Sequence, residues 1–212
     1  NLPMVGSAEI EITHQQTEFG HKVYTGYLSQ YGKRVPQTEV IVVEGIKGFT
    51  ASIETLEKTY LVMPANNTTA LNQTKHDHWL IENSGVADGM DDHLIESPAH
   101  LSKTPATKSS SVDRDADGNI VIDLFMGFSE VALQYVQDKD AFAVMQTATI
   151  NKGLENSQIE GIKVRLVGTG TTPNHEGMSS SVLSKLKDWF ADDIAAYSPD
   201  VVVGYMRWED GF

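Results

Sequence analysis

The sequence predicts an α+β protein of two unlike parts: an antiparallel β-rich first domain, then a partial α/β domain built on a mostly parallel sheet. Three observations carry this. Up to Pro64, apolar and polar residues alternate and β-branched and aromatic runs are separated by glycine turns. From about Asn119 onward, short apolar runs alternate with helical periodicity, the pattern of β-α-β units. Between the two lies a long stretch dominated by Asn, Thr, Ser, Asp, His and Pro.

In the first part, Glu9 to Thr13 alternates strictly, and Val23 to Leu28 and Thr38 to Val43 are rich in Val, Ile, Thr and Tyr. Tyr31-Gly32-Lys33 and Glu44-Gly45-Ile46-Lys47-Gly48 read as turns between strands, and Phe49–Ile53 and Thr59–Met63 as a further pair. Together they predict an antiparallel meander. The polar stretch is too long for an ordinary loop, and Thr104 to Ser111 has a linker's composition. The resulting boundaries are residues 1–100 for the β-rich domain, 101–118 for the linker and 119–212 for the α/β part.

In the last part, Ile120 to Phe125 suits a buried strand, and Ser129 is placed to cap a helix running, with a break between Asp138 and Asp140, to about Leu154. Ile162 to Val167 is a second strand, ended by Gly168-Thr169-Gly170. A helix starting at Ser179 or Ser180 places Val182, Leu183, Leu186, Trp189, Phe190, Ile194 and Tyr197 on one stripe. Pro199 ends it, and Val201 to Met206 is a third buried strand. The order β-α-β-α-β implies parallel strands joined by crossovers.

Composition narrows the function. The 212 residues hold 16 Lys and Arg against 29 Asp and Glu, a net charge of −13. Such a chain lacks the basic patches that hold a phosphate backbone, so no nucleic-acid partner is expected. No run approaches the apolar length of a membrane-spanning helix, so no membrane span is expected. The chain has no cysteine, which excludes disulfides, thiolate nucleophiles and Cys-ligated zinc.

Few motifs carry chemistry, and no catalytic residue is assigned. His175-Glu176 is the one His-Glu pair, but Ser179 stands where H-E-x-x-H needs its second histidine. His76-Asp77-His78 is denser, with His93 and His100 nearby. In a strand, His76 and His78 would project from one face and share a metal. Asp113, Asp115 and Asp117 followed by Gly118 open like a Ca²⁺ loop, yet Leu124 occupies the position where an EF-hand carries its bidentate Glu. The serines lack a G-x-S-x-G setting, and no phosphate-binding loop is present.

A set of segments, taken in order, resembles the bacterial reprolysin-like (adamalysin-type) metzincin peptidases. Val121-Ile122-Asp123-Leu124-Phe125 resembles their opening strand. Asn151-Lys152-Gly153-Leu154-Glu155-Asn156-Ser157-Gln158-Ile159 looks like their helix exit. Lys163-Val164-Arg165-Leu166-Val167-Gly168 is similar to their second strand, and Ser198-Pro199-Asp200-Val201-Val202-Val203 to their third, with the proline a departure. Tyr24-Thr25-Gly26-Tyr27-Leu28 and Tyr60-Leu61-Val62-Met63-Pro64 resemble the β-rich propeptides of the same group.

The resemblance implies a secreted or periplasmic precursor of a zinc metalloendopeptidase, in which these residues are the propeptide and the beginning of a metzincin-like catalytic domain. Zinc belongs to the parent enzyme, with its ligands outside this chain; the segments carrying H-E-x-x-H-x-x-G-x-x-H and the Met-turn are not among these residues. The chain alone is therefore expected to be inactive. Its expected partners are the missing C-terminal catalytic portion, whether or not on a separate chain, and the parent's protein substrates. Relatives silence their proenzymes with a Cys, so His76 and His78 are the candidates for a propeptide contact to zinc. The alternative reading is a non-catalytic secreted binding or adhesion module using Ca²⁺ at Asp113, Asp115 and Asp117.

Overall fold

The computed structural model describes residues 6–65, 78–83, 113–174 and 180–206. Among them, seven strands form one antiparallel sheet: β1 (Glu9–Glu18), β2 (His21–Gln30), β3 (Lys33–Arg34), β4 (Glu39–Gly45), β5 (Gly48–Glu54), β6 (Thr59–Pro64) and β7 (His78–Asn83). Their order is β1-β2-β4-β5-β6-β7, with the short β3 paired to the end of β2. This is the expected meander. Tyr31 and Gly32 both take positive φ, 52° and 72°, as a tight two-residue turn between β2 and β3 requires. Strand β7 arises inside the polar stretch that follows Pro64, where Trp79-Leu80-Ile81 is a short apolar run between polar flanks.

The sheet has two apolar faces, because successive residues of a strand point to opposite sides. Val23, Ile41, Val43 and Met63 belong to one buried cluster, and Leu28, Val40, Ile53 and Tyr60 to another.

The second sheet is small and parallel. It comprises β8 (Ile120–Ser129), β9 (Ile162–Thr172) and β10 (Val201–Tyr205) in the order β10-β8-β9, with both pairs parallel. Helix α1 (Lys139–Asn156) joins β8 to β9, and α2 (Ser180–Trp189) with α3 (Ala191–Tyr197) joins β9 to β10. The two crossovers cover opposite faces. Leu124, Met126 and Phe128 of β8 share a cluster with α1, whereas Phe125 packs on Leu186 and Phe190.

Three local expectations are corrected. Strand β8 runs on to Ser129, whose hydroxyl accepts from Ala132 N at 3.1 Å and starts only a 3-10 turn over Ala132–Gln134. The cap of α1 is Asp138, which accepts from Ala141 N. Strand β9 does not stop at Gly168 but bulges between Leu166 and Gly168 and continues to Thr172. A bulge turns later residues to the other face, and there the glycines make room. A β-carbon on Gly168 would lie 2.7 Å from the Tyr197 ring, and one on Gly170 2.7 Å from Phe125. Lastly, the helix before β10 breaks at Phe190, whose ring is buried against Phe125 and whose φ of −119° interrupts the helical path.

Helix α1 lies between the two sheets. It packs on β9 on one side and on β2, β4 and β5 on the other. Its buried residues therefore join one cluster that draws from both sheets. Among the described residues, no helix is long and apolar enough to cross a membrane.

Candidate functional site

Strand β7 pairs with β6 so that His78 stands opposite Pro64. Its ring stacks on Phe49 with 4.0 Å between centroids, and Nε2 faces Phe49 N at 3.4 Å. His78 lines an apolar cavity of about 290 Å³ with Leu28, Ile53, Val62 and Leu80. Leu28, Ile53 and Val62 belong to the cluster on the sheet face turned away from α1. The second member of the expected pair, His76, lies outside the described residues, as do His93, His100 and the His175-Glu176 pair.

The three aspartates ahead of β8 have separate roles. Asp115 closes a turn on itself: Oδ1 accepts from Asp117 N at 3.0 Å and Asn119 N at 2.9 Å, and Oδ2 from Asn119 Nδ2 at 3.0 Å. The Asn119 side chain, with these backbone donors, holds its carboxyl below the usual range. Asp113 turns instead to Arg165, accepting from its guanidinium at 2.7 Å. Asp117 engages Asp115 through its backbone. Among the described residues, no group of three His, Cys, Asp or Glu side chains converges as a metal site would need.

Arg165 links the two strands that begin the α/β part. It faces Asp123 directly across the β8–β9 pair and grips it with two bonds, Nε to Oδ1 at 2.8 Å and Nη2 to Oδ2 at 2.9 Å. Asp123 and, after it, Asp113 raise the pKa of the guanidinium. The geometry is the parallel fork that matches arginine to a carboxylate. Asn151 does comparable work between α1 and β9. Its Nδ2 donates to Val164 O and its Oδ1 accepts from Val164 N, both at 2.8 Å. One side chain thus satisfies both polar backbone groups of a residue on the outer edge of β9. Asp200 closes the third junction, its backbone N donating to Asp123 O and its carboxylate accepting from Asp123 N, both at 2.9 Å.

Two concave regions are lined jointly by the hairpin tip of β1 and β2 and by β9. A cleft of about 460 Å³ is lined by Glu18, Asn151, Leu154, Glu155 and Lys163, among others. A smaller one of about 250 Å³ is lined by Glu18, Phe19, Lys163 and Arg165. Burial raises the Glu18 carboxyl, and Lys163 opposes the shift. At the start of α1, Thr169 and Lys139 both donate to the Asp140 carboxylate, which forms a closed polar knot on β9.

At the carboxyl ends of the parallel strands, where ligands of open α/β sheets bind, the described groups are turned to structure. Glu130 N donates to Thr172 O at 3.0 Å, and Asn174 donates from Nδ2 to Thr172 Oγ1 at 3.0 Å. Sequence reasoning singled out neither Asp138 nor the pairing of Asn151 with Val164. The signal for the first was present, an Asp three residues before the first buried helical alanine. The second depends on a partner 13 residues away and has no local pattern.

Compared with models of protein families and with curated proteins, the chain matches none.

Proposed function

We propose that this chain is the amino-terminal portion of the precursor of a secreted or periplasmic zinc metalloendopeptidase of the reprolysin-like, metzincin type. In this reading, the β-rich region is the propeptide and β8 to β10 begin the catalytic domain. One observation carries the reading: side chains of the resembling segments brace one another's segments. Asp123 of the first segment is paired to Arg165 of the third, Asn151 of the second binds the backbone of the third, and Asp200 of the fourth binds the backbone of the first. Residues scattered by chance would not be expected to brace the same three strands. The parallel β-α-β-α-β order that those segments require also supports it.

In this reading the zinc ligands belong to other residues of the parent, since no H-E-x-x-H occurs among these 212. When bound in the parent, zinc would polarise a peptide carbonyl. The residues of this chain would instead supply the scaffold. Among the described residues, β10 pairs only with β8, so its outer edge is where the remaining strands would add.

Reading the parent open reading frame beyond Phe212 is the decisive test. The expected result is H-E-x-x-H-x-x-G-x-x-H downstream of β10, and a frame without it would end the peptidase reading. The purified chain incubated with Zn²⁺ and an unfolded protein substrate is expected to release no peptides. Metal-dependent cleavage would assign the catalytic groups to this chain and overturn the division proposed here.

A further inference from the structure

We infer that the outer face of α1 is a docking surface whose partner is the β-rich region itself, held non-covalently so that cutting the intervening linker does not release it. In calling that region propeptide-like this rests on the proposed function, but the contacts stand without it.

The burial of α1 demands two walls. Ala141, Phe142, Ala143, Val144 and Met145 are successive residues, and none is more than 5% exposed. At 3.6 residues per turn, five successive positions pass through more than a full circle. The helix is therefore enclosed on every side there, as a helix apolar all round must be. Sheet β8–β9 provides one wall, with Leu124, Met126, Val164 and Leu166. Val23, Ile41, Val43 and Met63 from the β-rich sheet share the same cluster. Removing the second wall would bare apolar surface on both pieces at once.

Polar contacts then set the register along the helix. At its start, Asp138 caps α1 through Oδ1 and accepts from Ile46 N through Oδ2 at 2.8 Å, tying in the β4–β5 turn. The turn comes so close that a β-carbon on Gly45 would lie 2.3 Å from that carboxylate oxygen. At the helix end, Asn156 donates to Glu39 at 3.0 Å, and Lys152 lies 3.6 Å from the same carboxylate. Strand β4 thus runs alongside α1 in the opposite sense, fastened at both ends. In a precursor, scission between Asn83 and Asp113 would then leave two chains in one fold.

The test inserts a site-specific protease sequence after Ser110, cuts the folded full-length chain, and follows the pieces by size-exclusion chromatography and gel electrophoresis. Both pieces are expected to elute together at the volume of the uncut protein at micromolar concentration, separating only in denaturant. Independent elution, or precipitation of the C-terminal piece on cutting, would overturn the inference, because either means that α1 was uncovered. Ile46→Pro, which deletes the donated N–H at a position whose side chain is 88% exposed, is expected to weaken reassociation roughly tenfold. Ile46→Ala keeps that N–H and should change it less than twofold; equal behaviour of the two variants would remove Asp138 from the interface. Neither readout requires peptidase activity, so a frame lacking H-E-x-x-H would defeat the proposed function and leave this result intact.

Discussion

Helices α1 and α2–α3 do the same topological task, each returning the chain from the end of one parallel strand to the start of the next, yet they are built for opposite surroundings. Helix α1 is enclosed, with Ala141, Ala143, Val144 and Met145 fully buried between two sheets. Helices α2 and α3 cover one face only: Leu186 and Phe190 are buried against Phe125, while Leu183 is 52% exposed. Equal connectivity therefore does not imply equal environment. What separates them is whether apolar side chains fill a stripe or the whole circumference.

The largest effect that follows is a contrast between two truncations. Met145→Ala removes a fully buried side chain from the shared cluster and is expected to cost about 3 kcal/mol, counting lost transfer and the residual cavity. Leu183→Ala, on the exposed side of α2, is expected to stay within about 0.5 kcal/mol. Urea unfolding of the two variants checks the pair. Similar costs for both would mean that α1 is no more enclosed than α2.

A second prediction concerns how the enclosed helix begins. Asp138→Ala removes the cap of α1 and the acceptor for Ile46 N together, for an expected loss of about 2 kcal/mol. Helix α3 has no equivalent to lose, since Phe190 makes no side-chain cap bond. A thermal-unfolding shift smaller than that of an exposed carboxylate, Asp117→Ala for instance, would show that the tie between the sheets carries no weight.

This contrast also marks how far the sequence could be read. The meander and the β-α-β-α-β order were legible because period 2 and period 3.6 are local patterns. The amphipathic stripe of α2 was legible for the same reason. The enclosure of α1 was less so: Ala-Phe-Ala-Val-Met reads equally as a one-sided helix start until the second wall is seen. Gly168 looked like a strand end because glycine commonly breaks strands, whereas here the ring of Tyr197 requires it. Of the candidate site, the motif residues Asp123, Asn151 and Arg165 could be named, but not the bond of Asn151 to the Val164 backbone 13 residues away or of Arg165 to Asp123 across 42 residues. The aspartates at 113, 115 and 117 share a spacing, and spacing alone could not reveal that one binds Arg165 and another its own turn.

The smallest effect lies at the cleft that Glu18 of the β-rich sheet shares with Leu154 and Lys163. Burial raises the Glu18 carboxyl, and Lys163 only partly offsets this. A carboxyl whose folded pKa lies above its unfolded one costs stability while it is ionised in both states. That cost disappears as the pH falls through the raised folded value and the site takes up its proton. Glu18→Gln keeps an acceptor for Gln16 Nε2, now 2.9 Å from Glu18 Oε1, and abolishes the charge. It is expected to stabilise the protein at pH 7 by under about 1 kcal/mol, because the half-exposed position is screened by solvent. The advantage should fade toward pH 4. Asp140 at the other end of α1 has the opposite sign. Burial tends to raise it, but the bonds from Thr169 and Lys139 prevail and lower it, so its contribution is present at neutral pH and lost on acidification. Thermal unfolding of wild type and Glu18→Gln at both pH values decides the matter: a variant less stable at pH 7 would mean that Lys163 outweighs burial.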